Sequence, residues 1–285
     1  MCRHLGYLGP PAPVGDLLTR GTHSLRAQAW APRDMRGGGT INADGFGVAW
    51  WVPTEVQAPD GNGAHPPADR DAPAASRYRN AAPIWTDPAV DEVLPQLRSA
   101  AVLGAVRSAT VGMPVERSAC APFTHGRWAF SHNGVVQDWR RVLTAVATGF
   151  GSPSLLEAEA RTDSAALWVI LRGLLEPAGV SYAPEALVRQ SDPAIALRRL
   201  AGAVLERAPR ARLNLLLGDG ETLWATTAYH SLSVLVTDEI AVVASEPYDD
   251  DPRWQPVADR QLVTARPGHL TVASLHSDES ERART

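Results

Sequence analysis

A cysteine follows the start methionine in MCRHLGYLG, and the chain holds one other, Cys120. If Met1 is trimmed, as is usual before a small residue, Cys2 carries a thiol and a free α-amine on one residue. An α-amine has a pKa of ~8 and a thiol ~8.5, so near neutral pH part of the amine is unprotonated. It can take the thiol proton, directly or through one water, and a single residue then supplies nucleophile and base. Taken alone, Cys2 reads more simply as a small buried hydrophobe, the common fate of a free cysteine.

A thiolate attacking an amide creates an oxyanion, which needs preorganised donors. The stretch Ser131-His132-Asn133-Gly134 offers an Asn side-chain amide and a Gly backbone N–H. Asn-Gly is also the strongest short hairpin signal, so a turn is predicted there. Val106-Arg107-Ser108-Ala109-Thr110 ends an apolar run with a guanidinium that suits a carboxylate in bidentate fashion, although a solvated strand-end arginine explains it equally. Arg161-Thr162-Asp163-Ser164 opens a helix. Asp163 is either a first-turn acid favoured by the helix dipole or a partner for a substrate ammonium. Cys2, His4, Cys120 and His125 match no zinc spacing, so no metal is assigned.

These residues need elements to hold them. Strands are predicted at 5–9, 44–52, 100–110 and 127–136, and again in a run from 212 to 245 that reads as an antiparallel meander with turns at Gly218–Gly220 and Thr237–Asp238. Further strands are expected at 262–265 and 268–275. Helical patterns cover Asp91–Ser99, limited by Pro95, and Trp139–Ala147. They also cover Thr162–Leu175, with Thr162 as N-cap, and Asp192–Ala208, with Pro193 in its first turn. Residues 53–83 are rich in Pro, Ala, Gly and Asp without a period and read as a long loop or insertion. The tail 276–285 is predicted to be disordered. Strands toward both ends with helices between them argue for one α+β domain over 2–275.

The chain has 285 residues, 45% hydrophobic and 20% charged, with a net charge of −4 and no lysine. No basic surface argues for nucleic acid or a membrane. No run approaches ~20 apolar residues, and the N-terminus lacks the apolar core of a signal peptide. Two cysteines make no disulfide framework. The expected location is the cytoplasm; the oligomeric state is left open.

In this order, an N-terminal Cys, DGFGVAW, RSAT, HNG and TDS resemble the class II glutamine amidotransferase domain of the N-terminal-nucleophile hydrolases, from Cys2 to about Ser274. The resemblance implies a four-layer αββα sandwich of two antiparallel sheets. It implies that Cys2 is the nucleophile, that Asn133 and Gly134 form the oxyanion pair, and that Arg107, with Thr110 beside it, grips a glutamyl α-carboxylate. Asp163 would bind the α-ammonium, with His132 also on the substrate side. Asp44 and Gly45 match a structural signature near the pocket, and Ser245 and Glu246 the second family strand. The start MCRHLGYLG, the stretch from Arg77 to Trp85 and SEPYDDDPRWQPVADRQLVTARPGHLTV look like the stand-alone amidohydrolases of ergothioneine biosynthesis. Those release glutamate from a γ-glutamyl conjugate, and the scheme calls for no metal or organic cofactor. A bulky cationic leaving group would favour aromatic faces, and Trp30, Tyr78 and Trp85 are candidates. A glutaminase feeding a separate synthase, a hydrolase of non-glutamyl amides and a non-catalytic module with the same fold are the alternatives.

Overall fold

The computed structural model of the chain describes residues 2–34, 36, 41–52, 73–176 and 192–275. Most of the expected loop (53–72) and the tail 276–285 lie outside them. Strand β1 (Arg3–Pro13) starts one residue after Cys2 and leads into the short helices α1 (Val14–Thr19) and α2 (Leu25–Gln28). Next come β2 (Phe46–Val52) and β3 (Ala74–Asn80). β3 falls inside the stretch expected to be a loop. Its composition hides it, but β2 supplies a full ladder, from Phe46 opposite Asn80 to Val52 opposite Ala74. Helix α3 (Ala89–Glu92) and a single 3-10 turn (Leu94–Gln96) replace the predicted helix over Asp91–Ser99. Pro95 cannot donate to a continuing helix, and β4 (Arg98–Val106) is already extended at Arg98.

β5 (Phe123–His125) and β6 (Trp128–Val135) precede the long helices α4 (Trp139–Phe150), α5 (Asp163–Leu175) and α6 (Pro193–Arg207). Thr162 caps α5 as expected, and Asp192 caps α6. Thr162 accepts from the Ala165 N–H at 3.1 Å, and Asp192 from the Ala194 N–H at 2.9 Å. The chain closes with β7 (Arg212–Gly218), β8 (Leu223–Thr226), β9 (Ser233–Val236), β10 (Ala241–Ala244), β11 (Gln255–Pro256), β12 (Gln261–Arg266) and β13 (His269–Ser274).

One sheet runs β11-β9-β10-β1-β4-β2-β3 and the other β13-β12-β8-β7-β6-β5, with antiparallel neighbours. Residues 212–245 are therefore not one meander. β7 and β8 belong to the second sheet, β9 and β10 to the first, and the chain crosses between Thr226 and Ser233. Alternation along each strand builds three apolar layers. Leu17, Leu18, Leu25 and Val90 of α1–α3 cover Leu5, Val48 and Val102 of the first sheet. Leu167, Ile170, Leu200 and Val204 of α5 and α6 cover Phe130, Leu213 and Leu215 of the second. Between the sheets lie Leu8, Leu103, Ala129, Leu216 and Leu223. This is an α+β fold of two antiparallel sheets flanked by helices, as expected. Among the described residues no helix is long and apolar enough to cross a membrane.

Asn133-Gly134 is not a turn. β6 runs straight through it, with Asn133 opposite Asn214 and Gly134 opposite Leu213. The glycine answers to closeness instead: a Cβ there would lie 1.9 Å from the Arg212 carbonyl oxygen and 2.5 Å from His132 Nε2. The end of the inter-sheet gap near this residue is polar. His4 is fully buried, with Nδ1 3.3 Å from Ser131 Oγ and Nε2 without a partner. Burial, reinforced by His132, His230 and Arg3, pulls the His4 pKa down to about 3. Burial and then Arg212 do the same for His230, also to about 3.

Two predictions follow from this packing. Gly134→Ala must separate β6 from the β7 backbone, and should lower unfolding free energy by about 2–4 kcal/mol in a urea titration. The second concerns acid. Both histidines stay neutral in the fold while an unfolded histidine titrates near 6.5, so below that pH the unfolded chain takes up protons that the fold refuses. Stability should fall from pH 6.5 toward 3, by at most about 1.4 kcal/mol per pH unit for each histidine. Urea midpoints at pH 7 and pH 5 check this, and His230→Asn should shrink the difference.

Candidate active site

Period-two alternation decides where Cys2 goes. Leu5 and Tyr7 face the α1–α3 layer, so Cys2 and His4 face the second sheet and Arg3 faces away from it. Arg3 is 1% exposed and fully engaged. Its Nε bonds Glu246 Oε1 at 2.9 Å, one terminal nitrogen donates to the Cys2 carbonyl at 3.1 Å, and the other donates to the Asp34 carbonyl at 2.6 Å. The second Glu246 oxygen accepts from the Arg33 N–H at 2.7 Å. The half-buried Cys2 thiol points to the Ser108 carbonyl, 3.7 Å away. It opens onto a narrow recess shared with Arg107, Phe123, Ser131, His132 and Ser164.

Arg107 is carried by the loop that leaves β4. Three hydrogen bonds fasten that loop: Arg107 N–H to the Gly45 carbonyl (2.8 Å), Asp44 N–H to the Arg107 carbonyl (3.0 Å), and Ala109 N–H to Asp44 Oδ2 (2.7 Å). Gly45 is required there. Its φ is +120°, and a Cβ would meet Cys120 Sγ at 2.3 Å. The Arg107 guanidinium lies buried, with one contact to the Asp44 carbonyl at 3.4 Å and no carboxylate within ion-pair distance among the described residues. Cys120, the other free thiol, is buried against the Asn80 and Glu116 carbonyls at 3.4 Å each, and burial raises its pKa. That environment suppresses a thiolate.

Asn133 faces the gap from β6. Its Nδ2 makes one long bond, 3.4 Å, to Ser245 Oγ, which also accepts from the His4 N–H at 3.0 Å. An amide nitrogen has two protons, so one remains. The Leu213 N–H donates to the Ala228 carbonyl, and the Leu213 carbonyl accepts from Thr226. In an antiparallel ladder this turns the amide of its partner Gly134 away from β7, toward the side of β6 where β5 has already ended. The two donors of the HNG stretch thus stay available to a ligand without any turn.

Asp163 lies at the start of α5, its oxygens accepting from the Val136 N–H (2.9 Å) and the Ser164 N–H (2.8 Å). It ties the helix to the end of β6 and keeps lone pairs to spare. His132 lines the recess, but its ring nitrogens are taken by Ser164 Oγ (3.0 Å) and the Arg212 carbonyl (2.9 Å). Thr110 is exposed in the turn closed by Met113. Tyr78 packs on the α1–α3 side of its sheet, donating to Asp87 at 2.7 Å, and so lies on the opposite face from Cys2. Trp30 and Trp85 form an exposed edge-to-face pair, centroids 5.4 Å apart, and neither lines the Cys2 recess. Sequence reading missed Arg3 as a brace and Asn214 as the partner of Asn133. The signal for Asn214 was a lone amide in the otherwise apolar run RLNLLL.

The family model for class-II glutamine amidotransferases matches residues 22–238. Gamma-glutamyl-hercynylcysteine sulfoxide hydrolase of Mycolicibacterium smegmatis is 38% identical over 275 residues, covering 96% of this chain and all of that protein. The Mycobacterium tuberculosis protein of the same name is 39% identical over 282 residues, covering 99% of this chain and all of that one. Among solved structures, a glutamine aminotransferase class-II domain protein from Silicibacter pomeroyi superposes with a TM-score of 0.57 at 22% identity, over 97% of this chain and all of that one, a likeness of fold. With its two antiparallel sheets and full-length relatives, the chain belongs to the class-II glutamine amidotransferase family.

Proposed function

We propose that the chain hydrolyses the γ-glutamyl amide of γ-glutamyl-hercynylcysteine sulfoxide, releasing glutamate in the cytoplasm, with Cys2 as nucleophile. The observation that carries this reading is the setting of Cys2, half-buried at the head of β1 in a recess shared with the buried Arg107 guanidinium, at the end of the gap into which Asn133 of β6 also points. The relatives that match over their whole length support the substrate.

Arg107 takes the glutamyl α-carboxylate and Asp163 the α-ammonium, which brings the γ-carbonyl to the sulfur. Thr110 and His132 shape that end, the latter through its backbone and through Ser164. After removal of Met1, the α-amine of Cys2 accepts the thiol proton as sulfur attacks. The oxyanion is held by the second Asn133 N–H and the Gly134 amide. The amine then protonates the departing nitrogen, the C–N bond breaks, and a glutamyl thioester remains. Water, deprotonated by the same amine, cleaves the thioester and restores the thiol. Trp30 and Trp85, exposed and packed edge to face, are assigned to the far end of the leaving group.

Glutamate release from the sulfoxide conjugate, set against ammonia release from glutamine, tests the reading. The conjugate should have the higher kcat/KM; faster release of ammonia from glutamine would make the chain a glutaminase instead. Cys2→Ala should abolish turnover while glutamate still binds. Asn133→Ala should lower kcat by ~10²–10³-fold with a smaller change in KM.

A further inference from the structure

A second guanidinium stands across Cys2 from Arg107. In the first sheet β1 lies between β10 and β4, and Arg107 follows β4. β4 stacks on β6, while β1 stacks on both β6 and its neighbour β7. Arg212 opens β7 and, by alternation, shares the inner face with Asn214 and Leu216. It is the register partner of Val135, next to Gly134. Two arginines therefore face the gap at its Cys2 end, one to either side of the nucleophile.

Arg212 is held without being neutralised. Among the described residues its guanidinium has no hydrogen-bond partner and no carboxylate within ion-pair distance. It lies over the ring of Tyr229, 4.5 Å from the centroid. Tyr229 is 42% exposed and held at a φ of +91°, a conformation that a tyrosine adopts only under constraint. The constraint is Asn214, fully buried opposite Asn133. Its Oδ1 accepts from the Ala228 and His230 N–H groups at 3.1 Å each, and its Nδ2 donates to the His230 and Ser231 carbonyls at 3.0 and 3.3 Å. Asp259 accepts the Tyr229 N–H at 2.8 Å, and Arg36, already paired with Asp34, donates to its carbonyl at 3.0 Å. The strand that carries the proposed oxyanion donors is thus coupled, through one buried amide, to a strained turn whose tyrosine ring lies against the Arg212 guanidinium.

This inference rests on the γ-glutamyl reading above. A γ-glutamyl amino acid carries two carboxylates, one at the glutamyl end and one on the carbon next to the scissile nitrogen. Glutamine lacks the second. With the glutamyl carboxylate at Arg107 and the γ-carbonyl at Cys2, the leaving carboxylate falls on the opposite side of the sulfur. We propose that Arg212, stacked on Tyr229, binds the carboxylate of the leaving amino acid, and so selects γ-glutamyl amino-acid conjugates over glutamine and simple γ-glutamyl amides. Arg212 acts here as a specificity-determining residue and takes no part in proton transfer.

The test pairs γ-glutamyl-hercynylcysteine sulfoxide with the same conjugate lacking only its cysteinyl carboxylate. The unaltered chain is expected to favour the carboxylate-bearing compound by ~10²-fold in kcat/KM, and Arg212→Met to bring that ratio to within about threefold of one. Arg212→Lys, which keeps the charge and loses the fork, should hold an intermediate ratio. A ratio in Arg212→Met equal to that of the unaltered chain overturns the proposal, as does an equal fall on both compounds. If Arg212→Met does not fold, an unchanged ratio in Arg212→Lys overturns it. Failure of the unaltered chain to cleave either compound overturns the γ-glutamyl reading itself, and the Arg212 assignment falls with it.

Discussion

The Arg3–Glu246 ion pair is almost wholly removed from water, with side-chain exposures of 1% and 4%. Stripping one partner from such a pair typically costs about 3–5 kcal/mol, because the remaining charge is stranded. Its importance here is positional. A residue whose own amine is proposed to act as a base cannot be anchored by anything before it, so every restraint on Cys2 has to come from Arg3 onward. The guanidinium supplies them: it holds the Cys2 carbonyl, Glu246 and the Asp34 carbonyl at once. β1 then turns the thiol the other way, because alternate residues leave opposite faces of a strand.

The gap into which Cys2 points is buried and polar at one end. Burial keeps His4 and His230 neutral and only weakly basic, so neither competes with an amine for the thiol proton. Low dielectric strengthens each remaining dipole, the donors of Asn133 and Gly134 among them. Ser245 joins the two sheets by accepting from His4 on one and Asn133 on the other. β1, with the proposed nucleophile, and β6, with the proposed oxyanion donors, are therefore registered to each other by this hydroxyl and by the His4–Ser131 contact. Asn214 extends the same linkage to the turn that displays Tyr229. The proposed leaving-side site and the proposed oxyanion donors thus share one strand pair.

Much of this was legible in the sequence where chemistry is local. Thr162 caps the helix it announces, since capping is decided within four residues. The motif order from Cys2 to Asp163 pointed to the family before any coordinates. The failures share a cause, which is that the deciding neighbour is remote. Asn133-Gly134 carries a strong turn signal, and only the Arg212 carbonyl, about 80 residues away, explains why a glycine is needed in a straight strand. β3 lacks apolar runs because it is an edge strand defined by β2. The crossing between β8 and β9 has ordinary turn residues, and nothing in them states which sheet comes next. Nothing local marks Arg212, and only the fold sets it across from Arg107.

The central claim is that sulfur and nitrogen of Cys2 do the chemistry together. The most direct measurement quenches a working preparation in acid during turnover of the γ-glutamyl conjugate and maps the covalent adduct by peptide mass spectrometry. The account predicts one glutamyl group, thioester-linked, on a leading peptide that starts at Cys2. A glutamyl group on Cys120 or any other residue, or a fully active preparation whose leading peptide still starts with Met1, would contradict it.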